Sequence, residues 1–374
     1  SCAKSSVASR SRAAISAQES LYWLSGHDTF GFCFFQCLVV GRSGPPTLLV
    51  RSADKLQARH TSWVEDVRVW RDRAEADPSA DLAAILQEAG LKGARLGVEL
   101  DTHGLTAANW RKLEARLGGW ARLVDASDLV STLRLTKSPA ELAYVRRAAE
   151  IGDACFEAAM EHIRPGADEG LILAAMQGEC FASGGDYPGN PFIIGSGPVS
   201  REAMSGALLC RYYTGRRTLS AEDQLTLEWA GVYRQYHAAL MRTVVLGKPK
   251  AEHLSMHAAA KDALLACEAA LTPGRTMGEV FEAHARAFDA AGLGHARLNA
   301  CGYALGARYA PSWMEREMFY ADAPTMIGPN MVFFLHMILM DKETGAAMTL
   351  GRSSITTEGA ATPLSALPLE IDAV

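Results

Sequence analysis

The sequence predicts an α/β domain over residues 1–134 followed by an α+β domain over residues 135–374. Three observations carry this expectation. The chain has 374 residues, more than one small core organises. Its first third alternates strand-length apolar runs with helix-length amphipathic pieces, while the remainder groups helices and then strands. Between them "STLRLTKSPAEL" (131–142) ends one pattern and opens the other.

In the first domain "FGFCFFQCLVV" and "PTLLVR" read as neighbouring strands. "SADLAAILQEAGL" reads as a helix closed by Gly90, and "ARLGVEL" as the next strand. "AANWRKLEARLGG" is again helical and "ARLVDAS" again a strand, which gives a mostly buried sheet with helices between its strands.

The second domain opens on Ser138-Pro139-Ala140-Glu141, a capping box with proline at the first helical position. A long helix through Leu142, Val145, Ala149, Phe156 and Met160 should end before "RPG" at 164–166. Later a helix over 253–270 runs into "TPG" at 272–274, and Thr276-x-x-Glu279 opens another, closed by Gly292. The two helix–PG–helix units, 140–180 and 253–292, resemble an internal duplication. Strands follow them: a hairpin within "LTLEWAGVYRQYHAALMRTVVLG" (225–247), then "GYALG", "MVFFLHMILM", "AAMTLG" and "SSITTEG".

Composition excludes several classes. A net charge of −5 gives no basic excess for nucleic acid or anionic membrane. "FGFCFFQCLVV" is the longest strongly apolar run and is too short to span a bilayer. "SCAKSSVASRSR" has no apolar stretch of the secretory kind, so it reads as a leader and the expected location is cytoplasmic. The eight cysteines are scattered without C-x-x-C, as reduced core thiols are.

The chemistry-bearing residues sit on strands. Glu228 lies inside an apolar strand and shares a face with Thr226 and Ala230. On the return strand His237, Ala239 and Met241 share one face and Arg242 takes the other. A carboxylate there is costly unless it is paired or faces a cavity. One reading is a Glu–Arg or Glu–His pair that closes the sheet; the other is a pocket carboxylate acting as base or nucleophile. His336 interrupts "MVFFLHMILM" and reads either as a hydrogen-bonded core histidine or as a site residue. Tyr303 stands in "CGYALG", where a phenol can reach a cleft, and Arg211 interrupts "LLCRYYTG". "GGDYPGNPFIIGSG" (184–197) is turn-rich and ends on a strand. Its "GSG" lacks the surroundings of a phosphate loop, and the chain holds neither G-x-S-x-G nor H-E-x-x-H.

"LRLTKSPAELAYVRRAAEIGD", the two helix–PG units, the 225–247 hairpin, "CGYALG" and "MTLGRSSITTEG" together resemble the creatinase/prolidase/aminopeptidase P family, from "LYWLSG" (21–26) to about residue 365. The resemblance implies a second domain of pita-bread type: a curved antiparallel sheet backed by helices and built from a duplicated half. Peptidases of this family hold two metal ions through Asp, Asp, His, Glu and Glu. Those positions fall here on Glu228, Ala239, Tyr303, His336 and on or next to Leu350. Two of the five keep a usual ligand, so no metal or other cofactor is expected. The histidine of creatinase falls near Arg211 and its pocket glutamate on His336. "EWAGVYRQYHAALMRTVVLGKP", "CGYALGARYAPSWMER", "GGDYPG" and "FCFFQCLVV" are more similar to the ectoine hydrolase branch, which opens a small cyclic amidine.

The resemblance implies a hydrolase of an amide or amidine C–N bond in a small substrate: a zwitterion, an amidine or a dipeptide-like molecule. Its alternatives are an Xaa-Pro metallopeptidase and a docking scaffold without catalysis. On the hydrolase reading Glu228 attacks carbon or activates water, and His336 or His237 protonates the leaving nitrogen. Tyr303 and Arg211 orient the substrate, Trp229, Trp313, Tyr303 and Phe334 form apolar walls, and Arg242 faces Glu228 or lines the same cavity. The family likeness further implies a homodimer.

Overall fold

The computed structural model describes residues 12–41, 43–198, 217–341 and 343–374. The chain divides into two compact units between Arg134 and Leu135. Among the described residues no helix is long and apolar enough to cross a membrane.

The first unit is built on a six-stranded mixed sheet of order β4-β3-β2-β1-β5-β6. Its strands are β1 (Arg12–Ile15), β2 (Cys37–Gly41), β3 (Thr47–Arg51), β4 (Asp66–Trp70), β5 (Arg95–Val98) and β6 (Arg122–Asp125). Strand periodicity sends successive side chains to opposite faces. Ala14, Cys37, Val39, Leu49 and Leu96 pack with Leu82, Leu86, Leu113 and Leu117 of helices α3 (Pro78–Glu88) and α4 (Ala107–Leu117). Ile15, Leu38, Leu48 and Val50 pack the other way, with Leu21 of α1 (Gln18–Ser25) and Ala58 of α2 (Lys55–Thr61). The start of α1 has no side-chain cap of its own. Glu99 supplies one from the end of β5, its Oε2 accepting from the amides of Ser16 and Ala17 at 2.8 Å each. A buried carboxylate at a helix start satisfies orphan donors and complements the dipole there.

The run "FGFCFFQCLVV" is not one strand. Gly31–Cys33 is a 3₁₀ turn and the strand begins at Cys37. Phe34 leaves the core to lie under the Arg51 guanidinium, 3.9 Å from its ring centre, while the Phe35 carbonyl accepts from the Trp70 indole. Helix α5 (Ser127–Leu135) runs up to the division between the units.

The second unit holds an antiparallel path of strands in the order β10-β11-β12-β9-β8-β7. These are β7 (Ile193–Pro198), β8 (Asp223–Tyr233), β9 (Tyr236–Val245), β10 (Gly302–Ala304), β11 (Val332–Met340) and β12 (Ala347–Ile355). "AAMTLG" and "SSITTEG" join into the single strand β12, whose whole length pairs with β11. Helices α6 (Pro139–Met160), α7 (Glu169–Ala182), α8 (Ala251–Ala270) and α9 (Met277–Ala290) accompany the sheet. The capping boxes at Ser138 and Thr276 form as the sequence predicts.

The duplication is visible bond by bond. Gly166 donates to the Leu219 carbonyl and Leu219 donates back to Ala167; Gly274 donates to Ile327 and Ile327 back to Arg275. Glu169 donates to Arg217 as Met277 does to Thr325. Each second-half position lies 108 residues beyond its counterpart, and the same offset relates Glu228 to His336. The halves meet at a short seam where Leu350, Gly351 and Arg352 of β12 pair with Arg242, Met241 and Leu240 of β9.

One face of the sheet is covered by helices. Trp229 stacks on Phe156 of α6 at 5.3 Å, and its indole donates to the Gly152 carbonyl at 2.8 Å. Leu335, Met337 and Leu350 share a core with α8 and α9. The Arg352 guanidinium meets Glu268 of α8 through two bonds of 2.8 and 2.7 Å, and Ser354 donates to the same carboxylate.

This buried pair yields a test of the helix–sheet contact. Arg352→Met alone leaves Glu268 uncompensated and should cost about 3–5 kcal/mol in chemical unfolding. The double variant Arg352→Met/Glu268→Met should recover most of that loss, because the buried charge goes with its partner. Additive losses in the two single variants would show that the pair is not coupled.

Candidate functional site

Strand register places the site. Glu228 of β8 pairs with Met241 of β9, Met241 with Gly351 of β12, and Gly351 with His336 of β11. Residues directly opposite across strands point to the same face, so Glu228 and His336 end one row on the face away from α6. Tyr303 of β10 pairs with Phe334 and shares that face.

The distances show that this face is concave. β10 and β8 are four strand spacings apart, about 19 Å if the sheet were flat. Yet the Tyr303 hydroxyl lies 3.5 Å from Glu228 Oε1 and donates to it. Only a strong curl brings those two strands together. Tyr303 is fixed from behind by the Trp313 indole, which donates to its oxygen at 2.8 Å. With that oxygen accepting from the indole, its proton is directed at the carboxylate. The His336 and Phe334 rings lie 5.7 and 5.4 Å from the Tyr303 ring.

Tyr303 is held on a short rigid strand. β10 pairs with β11 on one side, and Cys301, Gly302 and Ala304 exchange backbone bonds with 315–319 on the other. Gly302 adopts φ 153°, and a Cβ there would stand 2.2 Å from the Phe334 carbonyl. Glycine therefore lets β10 approach β11 closely. Glu228 is the one residue of β8 between Asp223 and Val232 that is not fully buried, so its carboxylate opens toward solvent on the concave side.

Four sequence-predicted residues, Glu228, Tyr303, His336 and Trp313, are thus brought together, with Phe334 beside them. His237 shares the concave face but is wholly buried, and its Nε2 accepts from the Gly189 amide at 2.9 Å. Burial drives its pKa down to about 4, against the pull of the Gly306 and Gln235 carbonyls. A ring held neutral with Nε2 engaged is poorly placed to donate a proton.

Two expectations are corrected. Arg242 does not face Glu228. It pairs with Leu227 and points to the opposite side of the sheet, where its Nη1 donates to the carbonyls of Met241 and Gly351 at 3.0 and 2.9 Å. The guanidinium ties together the two middle residues of the site row from behind. Trp229 lies on that same helical side, stacked on Phe156, and lines no part of the concave face. Arg211 falls outside the described residues.

The peptidases' two metal ions require five ligands, and the residues here do not fit them. Ala239 offers a methyl group, and the Tyr303 phenol is engaged by Trp313 and Glu228. Leu350 is buried in the core shared with the helices. Its neighbours Thr349 and Gly351 face the concave side. Thr349 is bonded to Thr243, and a Cβ on Gly351 would meet the Phe334 ring at 2.9 Å and the Leu335 carbonyl at 2.8 Å. The Phe334 ring occupies the space a carboxylate at 351 would need. Among the described residues no three His, Cys, Asp or Glu side chains are grouped to hold an ion.

Sequence reasoning overlooked His284. It is wholly buried on α9 between Phe281 and Phe288, and among the described residues neither ring nitrogen has a hydrogen-bond partner. Burial first, then the charges of His336 and Arg297, push its pKa down to about 3. Its place in "VFEAHARAF", on the apolar face of a helix, is the only sequence signal of burial.

Comparison with known proteins gives the family and the fold. Residues 143–358 match metallopeptidase family M24, and residues 9–136 match the creatinase/prolidase N-terminal domain. The chain is 29% identical to an ectoine hydrolase of Halomonas elongata over 96% of its own length and 91% of that protein's. It is 28% identical to an uncharacterised hydrolase/peptidase of Sinorhizobium fredii, covering 94% and 90% of the two chains. Among solved structures, prolidase from Thermococcus sibiricus superposes with a TM-score of 0.85 at 18% identity, covering 97% of this chain and 94% of that one. Dipeptidase PepE from Mycobacterium ulcerans gives 0.78 at 23% identity, covering 100% and 94%. These superpositions establish the pita-bread fold of the second unit.

The buried neutral histidines set a pH dependence. In the unfolded chain each takes up a proton near pH 6.5; folded, His237 does so only near 4 and His284 near 3. Between those values the unfolded state binds more protons, so their contribution is full above about pH 6.5 and lost as pH falls toward 4. Each histidine adds up to about 1.4 kcal/mol per pH unit to that slope. Urea unfolding of His284→Leu between pH 7 and 4.5 should give a flatter slope than the parent. Parallel slopes would show that His284 titrates normally in the fold.

Proposed function

The chain belongs to metallopeptidase family M24, with a creatinase/prolidase domain at its N-terminal side, and from that premise we propose that this hydrolase cleaves an amide or amidine C–N bond in a small substrate without a dinuclear metal centre. One observation carries the reading. The concave row keeps a partly buried carboxylate, Glu228, with a phenol directed at it and an imidazole beside that phenol, while the remaining ligand positions of the peptidases hold groups unsuited to a metal. The near full-length likeness to an ectoine hydrolase favours a small amidine or zwitterion over a peptide.

In this reading Glu228 adds to the electrophilic carbon, or takes a proton from the water that does so. The Tyr303 hydroxyl donates to one carboxylate oxygen and so orients the group. His336 delivers the proton to the departing nitrogen, since His237 is occupied by Gly189. A carboxylate on a central strand is held still, and catalysis depends on that placement.

Glu228→Gln retains size and hydrogen-bonding reach while removing the basic oxygen. A thermal-shift panel of cyclic amidines, N-acyl amino acids and Xaa-Pro dipeptides selects the substrate. On it the variant should keep the parent's melting temperature and turn over at least ~10²-fold more slowly. Undiminished turnover in a stable Glu228→Gln protein would sink the catalytic assignment. Separately, elemental analysis of the purified protein should find less than about one transition-metal ion per chain, since a stable site needs several convergent ligands. Two equivalents of manganese, zinc or iron, with activity abolished by chelator, would restore the metallopeptidase reading.

A further inference from the structure

The turn-rich segment "DYPGNP" (186–191) has no part in the chemistry just described, yet it lies against the residues that do. Gly189 donates its amide to His237 Nε2 at 2.9 Å. The next residue, Asn190, accepts the Trp313 backbone amide at its Oδ1, 3.3 Å away. Gly189 also touches the 312–313 backbone so closely that a Cβ would stand 2.7 Å from Trp313 nitrogen and 2.8 Å from the Ser312 carbonyl. Trp313 is buried, and its indole donates to Tyr303, which donates to Glu228. A continuous chain of contacts therefore joins a histidine on β9 to the carboxylate on β8 by way of a loop.

The direction of the first bond fixes what His237 does. To accept from an amide, Nε2 must carry a lone pair, so the ring proton resides on Nδ1 and the ring is neutral. Full burial, with the low pKa it causes, keeps the ring in that state through the working pH range. We infer that His237 is a positioning residue: as a hydrogen-bond acceptor it seats loop 186–191 against Ser312–Trp313, and so holds the Trp313 indole and the Tyr303 phenol in register with Glu228. Asn190 and Gly189 belong to the same device, one as an acceptor and the other by lacking a side chain. This role rests on Glu228 being the reacting group, but the loop contact exists whatever Glu228 does.

The test uses His237→Gln and His237→Leu in the full-length protein. The glutamine carbonyl reaches the place of Nε2 and can accept from Gly189; leucine cannot. With tryptophan labelled in nitrogen-15, the indole resonance of Trp313 is identified by its loss in Trp313→Phe. That resonance should move in His237→Leu and stay near its parent position in His237→Gln. On the substrate found above, His237→Leu should lose about 10- to 100-fold in kcat, the scale of a small misplacement of reacting groups, with a lesser change in KM. His237→Gln should recover most of it. Should His237→Leu fail to fold, Asn190→Ala breaks the connection at the loop and should shift the same resonance. An unmoved Trp313 indole in His237→Leu, or in Asn190→Ala where His237→Leu does not fold, or a His237→Gln protein as slow as His237→Leu, would overturn the inference. The resonance needs no substrate, so an active Glu228→Gln protein would refute the catalytic assignment and leave the loop contact to stand or fall by itself.

Discussion

The second unit depends on a seam three residue pairs long. At β9–β12 the two duplicated halves join edge to edge, and the row that carries Glu228 and His336 crosses it at Met241 and Gly351. So short a ladder is reinforced by side chains. Arg242 binds the carbonyls of both middle residues, Thr243 bonds Thr349 across the strands, and Ser353 donates to the Ala239 carbonyl at 2.8 Å. Burying a guanidinium is costly unless its charge is offset. Asp372 and Asp153 provide the opposing field, although burial still pulls the Arg242 pKa down to about 10. The curl of the sheet, and with it the approach of Tyr303 to Glu228, hinges on this join.

The elements were legible where local chemistry writes them. Ser138 and Thr276 announce their helices through capping boxes, and the paired PG turns reveal the duplication. Strand alternation separated Arg242 from His237, Ala239 and Met241, but the register that sets Met241 and not Arg242 across from Glu228 was not legible. Alternation could not say that the helical layer would take the Arg242 and Trp229 side, because α6 approaches through Gly152 and Gly231, two residues without side-chain signal. The site was legible in part. Glu228, His336 and Tyr303 stand out as polar groups in apolar strands, and the curl gathers them. The partner of His237 is an amide 48 positions away in a loop, a relation that no periodicity encodes. His284 sits among apolar neighbours on a helix, where its chemistry gives no sign.

The halves are related position by position, but their counterparts have different chemistry. Glu228 and His336 occupy matching places, one an acid and the other a base. Arg352 finds a full bidentate partner in Glu268, whereas Arg242, on the matching strand, spends one nitrogen on two carbonyls and leaves Nε and Nη2 without hydrogen bonds. A repeated scaffold supplied two similar rows of positions. On the proposed reading their difference in chemistry is what the reaction uses: Glu228 attacks or takes a proton, and His336 gives one back.

The crowding at Gly351 bears on which side chains the site can hold. With the Phe334 ring and the Leu335 carbonyl within 3 Å of where its Cβ would be, no acid fits at that position while the ring stays. Phe334 in turn packs edge-on against Tyr303 and lies near His336, so shrinking it loosens the residues that now define the pocket. The side chain that Gly351 lacks therefore matters beyond its own position: the space left open is where Phe334 stands, and that ring packs against Tyr303 and His336.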